Sequence, residues 1–595
     1  MIHPTCLSRR IFCIAASLFL LASGIKADES TADWVARSEE NSSLYLDAWS
    51  RFEPEQAGLL GLSGHDTEIF QLPVDRDEQY ADAIEQVLTT LRRLEAEEKD
   101  PSVRQDLAIL IDTGVRDIEN TQVQHRLLLP YFVLPKMIFA GIQALLDDQM
   151  PEERRAAALV RLRRYTGLET GFTPVTEQAE ALIRSRLDET GLLGPGADEV
   201  ERDLATSPRI IAAIGKLFEQ YGPPGYEEPL ETLTQQLTAY ENFVRLEVLP
   251  RARRVPGLPP ELYALNLRER GIDMPLGELV SRAKTAFRET QNGMQALAAL
   301  VAREHELADT DYRQVIRELK KEQLVGDAIL SHYQERIIDV ERIIRREDIV
   351  SLPERALQFR LAGEEESAAL PGPALRPPPL IGASESRGEI ILPLRLPDAE
   401  GTSELEMDDF TFDASSWSLV THEGRPGHEL QLATMAERGV STARRLFAFN
   451  SVNVEGWALY AEAEMLPYLP LDGQLISLQY RLLRAARAFL DPGLQSGEIT
   501  REEALRILTE DVVLSEVLAQ QEVERYVSRS PGQAPSYFCG YSRLLELRAD
   551  VERLLGGQFD RRVFHDFVLE QGLLPPTLLR RAVIGEFVPS QLAAR

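Results

Sequence analysis

Apolar residues recur at three- and four-residue intervals along most of this chain, and that spacing constrains the fold more than any other feature. Ile84, Val87, Leu88, Leu91 and Leu94 mark one such stripe, and Leu276, Leu279, Val280, Ala283, Phe287, Met294, Leu297 and Val301 extend another over a longer span. A turn of about 3.6 residues stacks these positions on one face, so both segments predict amphipathic helices against a core. The clusters GPPG at 222–225 and PGLPP at 256–260 punctuate the pattern. Proline lacks the amide donor and glycine accepts left-handed turns, so these end helices and connect them. With 595 residues, the chain can bury a large core as one domain or as several. It carries no fixed-period repeat or low-complexity tract of the kind that builds arrays.

One shift in composition breaks the helical pattern. Residues 363–386 collect acidic side chains and then Pro371, Pro373, Pro377, Pro378 and Pro379, and EIILPL follows at 389–394. The apolar run predicts a short strand within a β element near 387–396, and Pro393 predicts a sheet edge. The expected organisation is therefore mainly α and two-lobed, with an N-terminal helical lobe over 28–370 and a C-terminal lobe carrying the chemistry over 371–595. Ahead of both, Arg9 and Arg10 precede an apolar run at 11–23, followed by small residues up to Ala27. This is the layout of a secretory leader over 1–27, with a run shorter than the roughly 20 residues of a membrane span. No cysteine follows the run where a lipoprotein signal would need one. Cys6 and Cys13 fall within the leader, which leaves Cys539 alone and rules out an intramolecular disulfide in the processed chain. The expected location is the periplasm or the exterior, with no stable membrane association after cleavage. The 65 basic and 95 acidic side chains give a net charge of −30, which argues against nucleic acid and anionic lipid surfaces as partners.

Only eight histidines occur in the chain, and two stand six residues apart in HEGRPGHELQ at 422–431. A hydrolytic zinc takes about three protein ligands, leaves a position for water, and has a base nearby. In the helical form of this site the two histidines are one turn apart and the glutamate after the first is the base. His422 and Glu423 fit that grammar. His428 does not, since six residues on a regular helix turn it about 240° away. Pro426 cannot donate to the His422 carbonyl and Gly427 tolerates unusual dihedrals, so a bulge or break here would return His428 to His422. A second string, EGWALYAE at 455–462, follows after room for a turn, with Glu455 and Glu462 on one helical face. Either carboxylate could close a metal site, and Gly456 beside Glu455 favours the first. Each string alone reads as well as plain amphipathic helix, with Trp457, Leu459 and Tyr460 in a core. Further on, Arg525 and Tyr537, in and near PGQAPSYFCG at 531–540, are candidate donors to an oxyanion.

Together these strings resemble the bacterial family called domain of unknown function 885, which is grouped with the thermolysin-like zinc metallopeptidases. HEGRPGHELQ, EGWALYAE, RAARAFLDPGL at 484–494, PGQAPSYFCG and LLGGQFDRRVFHDFVLEQGLLP at 554–575 stand in the family's order, and the similarity extends over about 40–590. The resemblance implies a large helical fold with a central cleft and one zinc ion. It implies His422, His428 and Glu455 as ligands, Glu423 as general base, and Tyr537 as a carbonyl contact. Gln495 departs from the histidine common there, and Pro535 from an aliphatic residue. The expected activity is hydrolysis of a peptide bond in a peptide or small amide substrate. Hydrolysis of another amide or an ester, or peptide binding without turnover, would use the same residues.

Overall fold

A computed structural model describes residues 33–146, 150–254, 257–362, 373–376, 389–392, 408–438 and 440–593. The leader at 1–27 and Pro393 lie outside them. The described chain is mainly helical, as the apolar spacing predicts, with one small sheet. No helix among the described residues is long and apolar enough to cross a membrane.

The chain forms two compact units. The first holds the described residues up to Leu262 together with Ser441–Phe447, and the second holds the rest. The expected boundary at 370 and 371 therefore falls inside the second unit. The shift in composition there suggested a boundary between lobes, but the helix Leu276–Glu304 that precedes it packs along Leu471–Ser496, and Tyr263 donates to Asp491 at 2.8 Å. Packing, and not composition, sets the division.

In the first unit Arg76–Glu97 and Pro101–Leu127 pack along each other, with Ile84, Leu88 and Leu91 buried as the spacing predicts. Asp100 caps the second of these helices by accepting from the backbone of Ser102 and Val103, with Pro101 in the first turn where no amide is needed. Asp117, fully buried, accepts from Tyr45 at 2.6 Å and Tyr80 at 2.7 Å. A core running from Ile69 to Val248, with Tyr165, Ile183, Phe218 and Tyr240 among its larger members, completes this unit.

In the second unit the stripe of Leu276–Glu304 buries Leu279, Ala283, Phe287, Met294 and Val301. Ser451–Met465 crosses Pro535–Leu555 so closely that a Cβ on Gly456 would lie 2.6 Å from the Gly540 backbone. Gly456 thus serves this crossing, which differs from the role of leaving room beside Glu455. Three strands, β1 (Gln358–Leu361), β2 (Ala374–Arg376) and β3 (Glu389–Leu392), form a sheet in the order β1-β3-β2, parallel between β1 and β3 and antiparallel between β2 and β3. The predicted strand is present, but it is central where Pro393 had suggested an edge. The described strand ends at Leu392. Ile390, Ile391 and Leu392 are all buried, the continuous apolar pattern of an inner strand.

Candidate functional site

The helix Asp413–Leu419 runs into a π-helical turn at Val420–Gly424, which carries His422 and Glu423. At Arg425 the backbone becomes extended, with φ −119° and ψ 133°, and a new helix begins at His428. The six-residue spacing is thus absorbed by a break between two helices, where the sequence allowed either a bulge or a break. Gly427 makes the break possible: a Cβ there would lie 2.0 Å from the His422 carbonyl oxygen. The two imidazoles come together with ring centroids 4.8 Å apart and planes at 79°.

Neighbouring side chains hold this geometry. Trp457 donates through Nε1 to the Pro426 carbonyl at 2.9 Å, tying the break to the Glu455 helix. Gln431 donates to Asn453 at 2.8 Å, and Asn453 to the Leu574 carbonyl at 2.7 Å. Arg425 is buried beneath the motif, donating to Glu429 at 2.8 Å, Glu341 at 2.6 Å and the Arg355 carbonyl at 2.8 Å. Ile390 of β3 lies against Gly424, where a Cβ would be 3.4 Å from its Cδ1, so the sheet supports the π turn.

Glu455 stands with Oε2 3.4 Å from His428 Nε2 and 3.7 Å from His422 Nε2, and this buried oxygen has no hydrogen-bond partner. Two ligands about 2.1 Å from a tetrahedral ion are about 3.4 Å apart, and the two distances from Glu455 Oε2 to the imidazoles are close to that spacing. Glu462, one face along the same helix, plays a different part. Its Oε1 lies 2.7 Å from His422 Nδ1 and its Oε2 accepts from Ser418 at 2.5 Å, which orients the ring so that Nε2 faces Glu455. The Nδ1 of His428 is buried without such a partner. Glu423 is half-buried, and one of its oxygens and a ring nitrogen of each histidine all lie within 4.8 Å of one another. Glu423 thus stands beside both imidazoles and is partly open to solvent.

Electrostatics agree with the geometry. Burial opposes an imidazolium on His422, but the Glu455 and Glu462 carboxylates outweigh it and push the group up to about 9. Burial likewise opposes charge on Glu455, yet the two imidazoles hold it well below the usual carboxylate range.

Arg525 and Tyr537 come together. Arg525 Nη2 donates to Tyr537 Oη at 3.1 Å, and the Arg487 guanidinium lies 4.5 Å from the ring centre. Arg525 also donates to Gln533 and, at 3.3 Å, to Glu522, so its donors are turned to these side chains and to Tyr537. Arg484 is the link to the imidazoles, with its guanidinium 3.7 Å from Glu462 and 6.0 Å from the Tyr537 ring centre. Gln495 donates to the carbonyls of Tyr526 and Val527, which explains a side chain other than histidine there as support for the turn after Arg525. A cavity of about 550 Å³ lies against Gln431, Asn453, Trp457, Arg543 and Leu547, and contains none of the candidate ligands.

Sequence reasoning missed Arg425, Glu429, Ser418 and Arg484 as parts of the site, although Arg425 and Glu429 lie inside the motif and Arg484 opens RAARAFLDPGL. A charged residue among apolar or motif positions was the available signal.

Two solved structures are similar, each described as a "putative lipoprotein". The one from Shewanella oneidensis, of unknown function, matches with a TM-score of 0.76 at 17% identity, over 93% of this chain and 100% of that one. The one from Colwellia psychrerythraea matches with a TM-score of 0.72 at 18% identity over the same shares, 93% and 100%. At that identity they establish a common fold. No curated protein matches the chain. A family model described as bacterial protein of unknown function (DUF885) matches residues 54–583, and the chain belongs to that family.

Proposed function

We propose that this protein is a zinc-dependent peptidase acting in the periplasm or outside the cell. The observation that carries the reading is Oε2 of Glu455, a buried carboxylate oxygen without a hydrogen bond, set at ligand spacing from two imidazole nitrogens. A donor set of two histidines and one glutamate suits zinc, and resembles that of the thermolysin-like peptidases. His422, His428 and Glu455 would hold the ion. When bound, it supplies a Lewis acid that polarises a carbonyl and makes water more acidic.

The protein's own groups then divide the proton chemistry. Glu423 accepts the proton of the attacking water and returns it to the departing amine nitrogen. Glu462 keeps His422 in one tautomer through Nδ1. Tyr537, whose oxygen accepts from Arg525, has its hydroxyl proton available for a carbonyl oxygen that gains charge. The leader-like N-terminus and the descriptions of the two similar structures support the location.

Glu423→Gln should lower kcat by about 10²–10⁴-fold on a peptide substrate while bound zinc stays stoichiometric. His428→Ala should lose the zinc. Unchanged turnover in the first variant would end the mechanism, and equal metal in wild type and the second would favour a peptide-binding protein without catalysis.

A further inference from the structure

Two arginines close to the candidate centre are short of acceptors. The helix Leu471–Ser496 carries Arg481, Arg484 and Arg487 at three-residue steps, and the neighbouring helix Pro535–Leu555 presents Tyr537 and Tyr541, one turn apart. Arg487 is paired, since its Nε and Nη2 each donate to Glu522 at 2.7 Å. Arg481 is half-buried over the Tyr541 ring, 5.5 Å from its centre, and its Nε and Nη2 are buried without a hydrogen bond. Arg484 is 9% exposed, donates to the Tyr480 carbonyl at 3.2 Å, and leaves Nε without an acceptor. The nearest carboxylate to Arg484 is Glu462, at 3.7 Å, and that group is already engaged by His422 and Ser418. Arg481 has no acidic partner among the described residues.

Buried guanidinium donors without acceptors are costly, and a chain with 95 acidic residues has ample means to pair them. Their persistence indicates an acceptor from outside the chain. Guanidinium groups bind carboxylate in a planar, two-point geometry, and aromatic rings beside them keep water away. We infer that Arg481 and Arg484, flanked by Tyr537 and Tyr541, bind the free C-terminal carboxylate of the peptide substrate. This rests on the peptidase reading and deepens it: the enzyme removes one or a few residues from a C-terminus. Arg484 lies one side chain, Glu462, away from His422, and each extended residue spans about 3.3–3.6 Å. A carboxylate here therefore belongs to a residue just beyond the bond presented to Glu423.

Calorimetry on the chelator-treated protein tests this without requiring turnover. The probes are N-acetyl-Ala-Ala-Phe, its C-terminal amide, and the amide of N-acetyl-Ala-Glu-Phe. The free acid should bind at least ten-fold more tightly than either amide. Arg481→Gln, at a half-buried position, should remove that preference, while Arg481→Lys should retain part of it. Equal binding of acid and plain amide, or a preference unchanged in Arg481→Gln, would overturn the inference. So would equal binding of the acid and the glutamate-bearing amide, which would show recognition of a side chain. An unchanged melting temperature in Arg481→Gln verifies that the variant is folded. Failure of the peptidase reading appears elsewhere, as unchanged turnover in Glu423→Gln or as zinc that does not depend on His428.

Discussion

The triangle of His422, His428 and Glu455 and the cluster of Arg481, Arg484, Arg487 and Arg525 are electrostatic opposites. In the first, carboxylates stand ready for a cation, and Glu455 Oε2 is the atom left unpaired. In the second, Arg487 and Arg525 are paired within the chain, and the unpaired atoms are nitrogens of Arg481 and Arg484. Both spend free energy on desolvated charge that the chain itself does not fully compensate. The difference lies in how each is supported. The triangle depends on a backbone break that admits almost no substitution, whereas the arginine cluster depends on side chains packed against tyrosine rings.

Gly427→Ala should break the first region with the largest effect. A Cβ placed 2.0 Å from the His422 carbonyl must push the break open and separate the imidazoles. We expect a loss above about 4 kcal/mol in denaturant unfolding, accompanied by loss of zinc. Gly277→Ala is the contrast, because nothing lies within 4 Å of a Cβ there. In that helix it should stabilise by up to about 1 kcal/mol. Similar losses from both would mean that the break is not specifically dependent on glycine.

That contrast also explains what could be read in advance. The apolar stripes predict the helices because burial on one face imposes a period, and Ile84, Leu88 and Leu91 are buried accordingly. Pro426 and Gly427 announce a distortion through their own chemistry, so the convergence of His422 and His428 was legible. The unit boundary was not, because packing of Leu276–Glu304 on Leu471–Ser496 leaves no mark on the composition of either segment. Nor were the different roles of Glu455 and Glu462. They share a helix face, and only the positions of Ser418 and Arg484, far off in sequence, decide which carboxylate is hydrogen-bonded and which is left open.

Asp491 sharpens the second region. It is fully buried near the arginines, accepts from Tyr263 at 2.8 Å and from the Gly532 backbone at 3.0 Å, and so anchors the turn that leads to Tyr537. Burial pushes its carboxyl up to about 7 in spite of those donors. A folded group above its unfolded value of about 3.9 retains a proton that the unfolded chain releases, so stability falls as pH rises from about 4 to 7. The expected decline is on the order of 3–4 kcal/mol. Asp491→Asn preserves an acceptor and should flatten this part of a stability-versus-pH curve measured with denaturant. A slope identical in wild type and variant would show that Asp491 is ionised throughout.

Glu462 belongs to both regions, and its substitution should act on them with opposite sign. It orients His422 through Nδ1 at 2.7 Å and stands 3.7 Å from the Arg484 guanidinium. Glu462→Gln leaves a side chain of the same shape but removes the negative charge. Loss of a carboxylate behind a ligating histidine commonly weakens metal binding about 10–100-fold, and a competition titration with a chelator should find zinc weakened within that range. Arg484 meanwhile loses the carboxylate that partly neutralises it. Its attraction for an external carboxylate then increases, and N-acetyl-Ala-Ala-Phe should bind a few-fold more tightly, while its amide is unaffected. A fall in both affinities would mean that Glu462 holds the two regions together by packing, and that the charge it carries sets neither one.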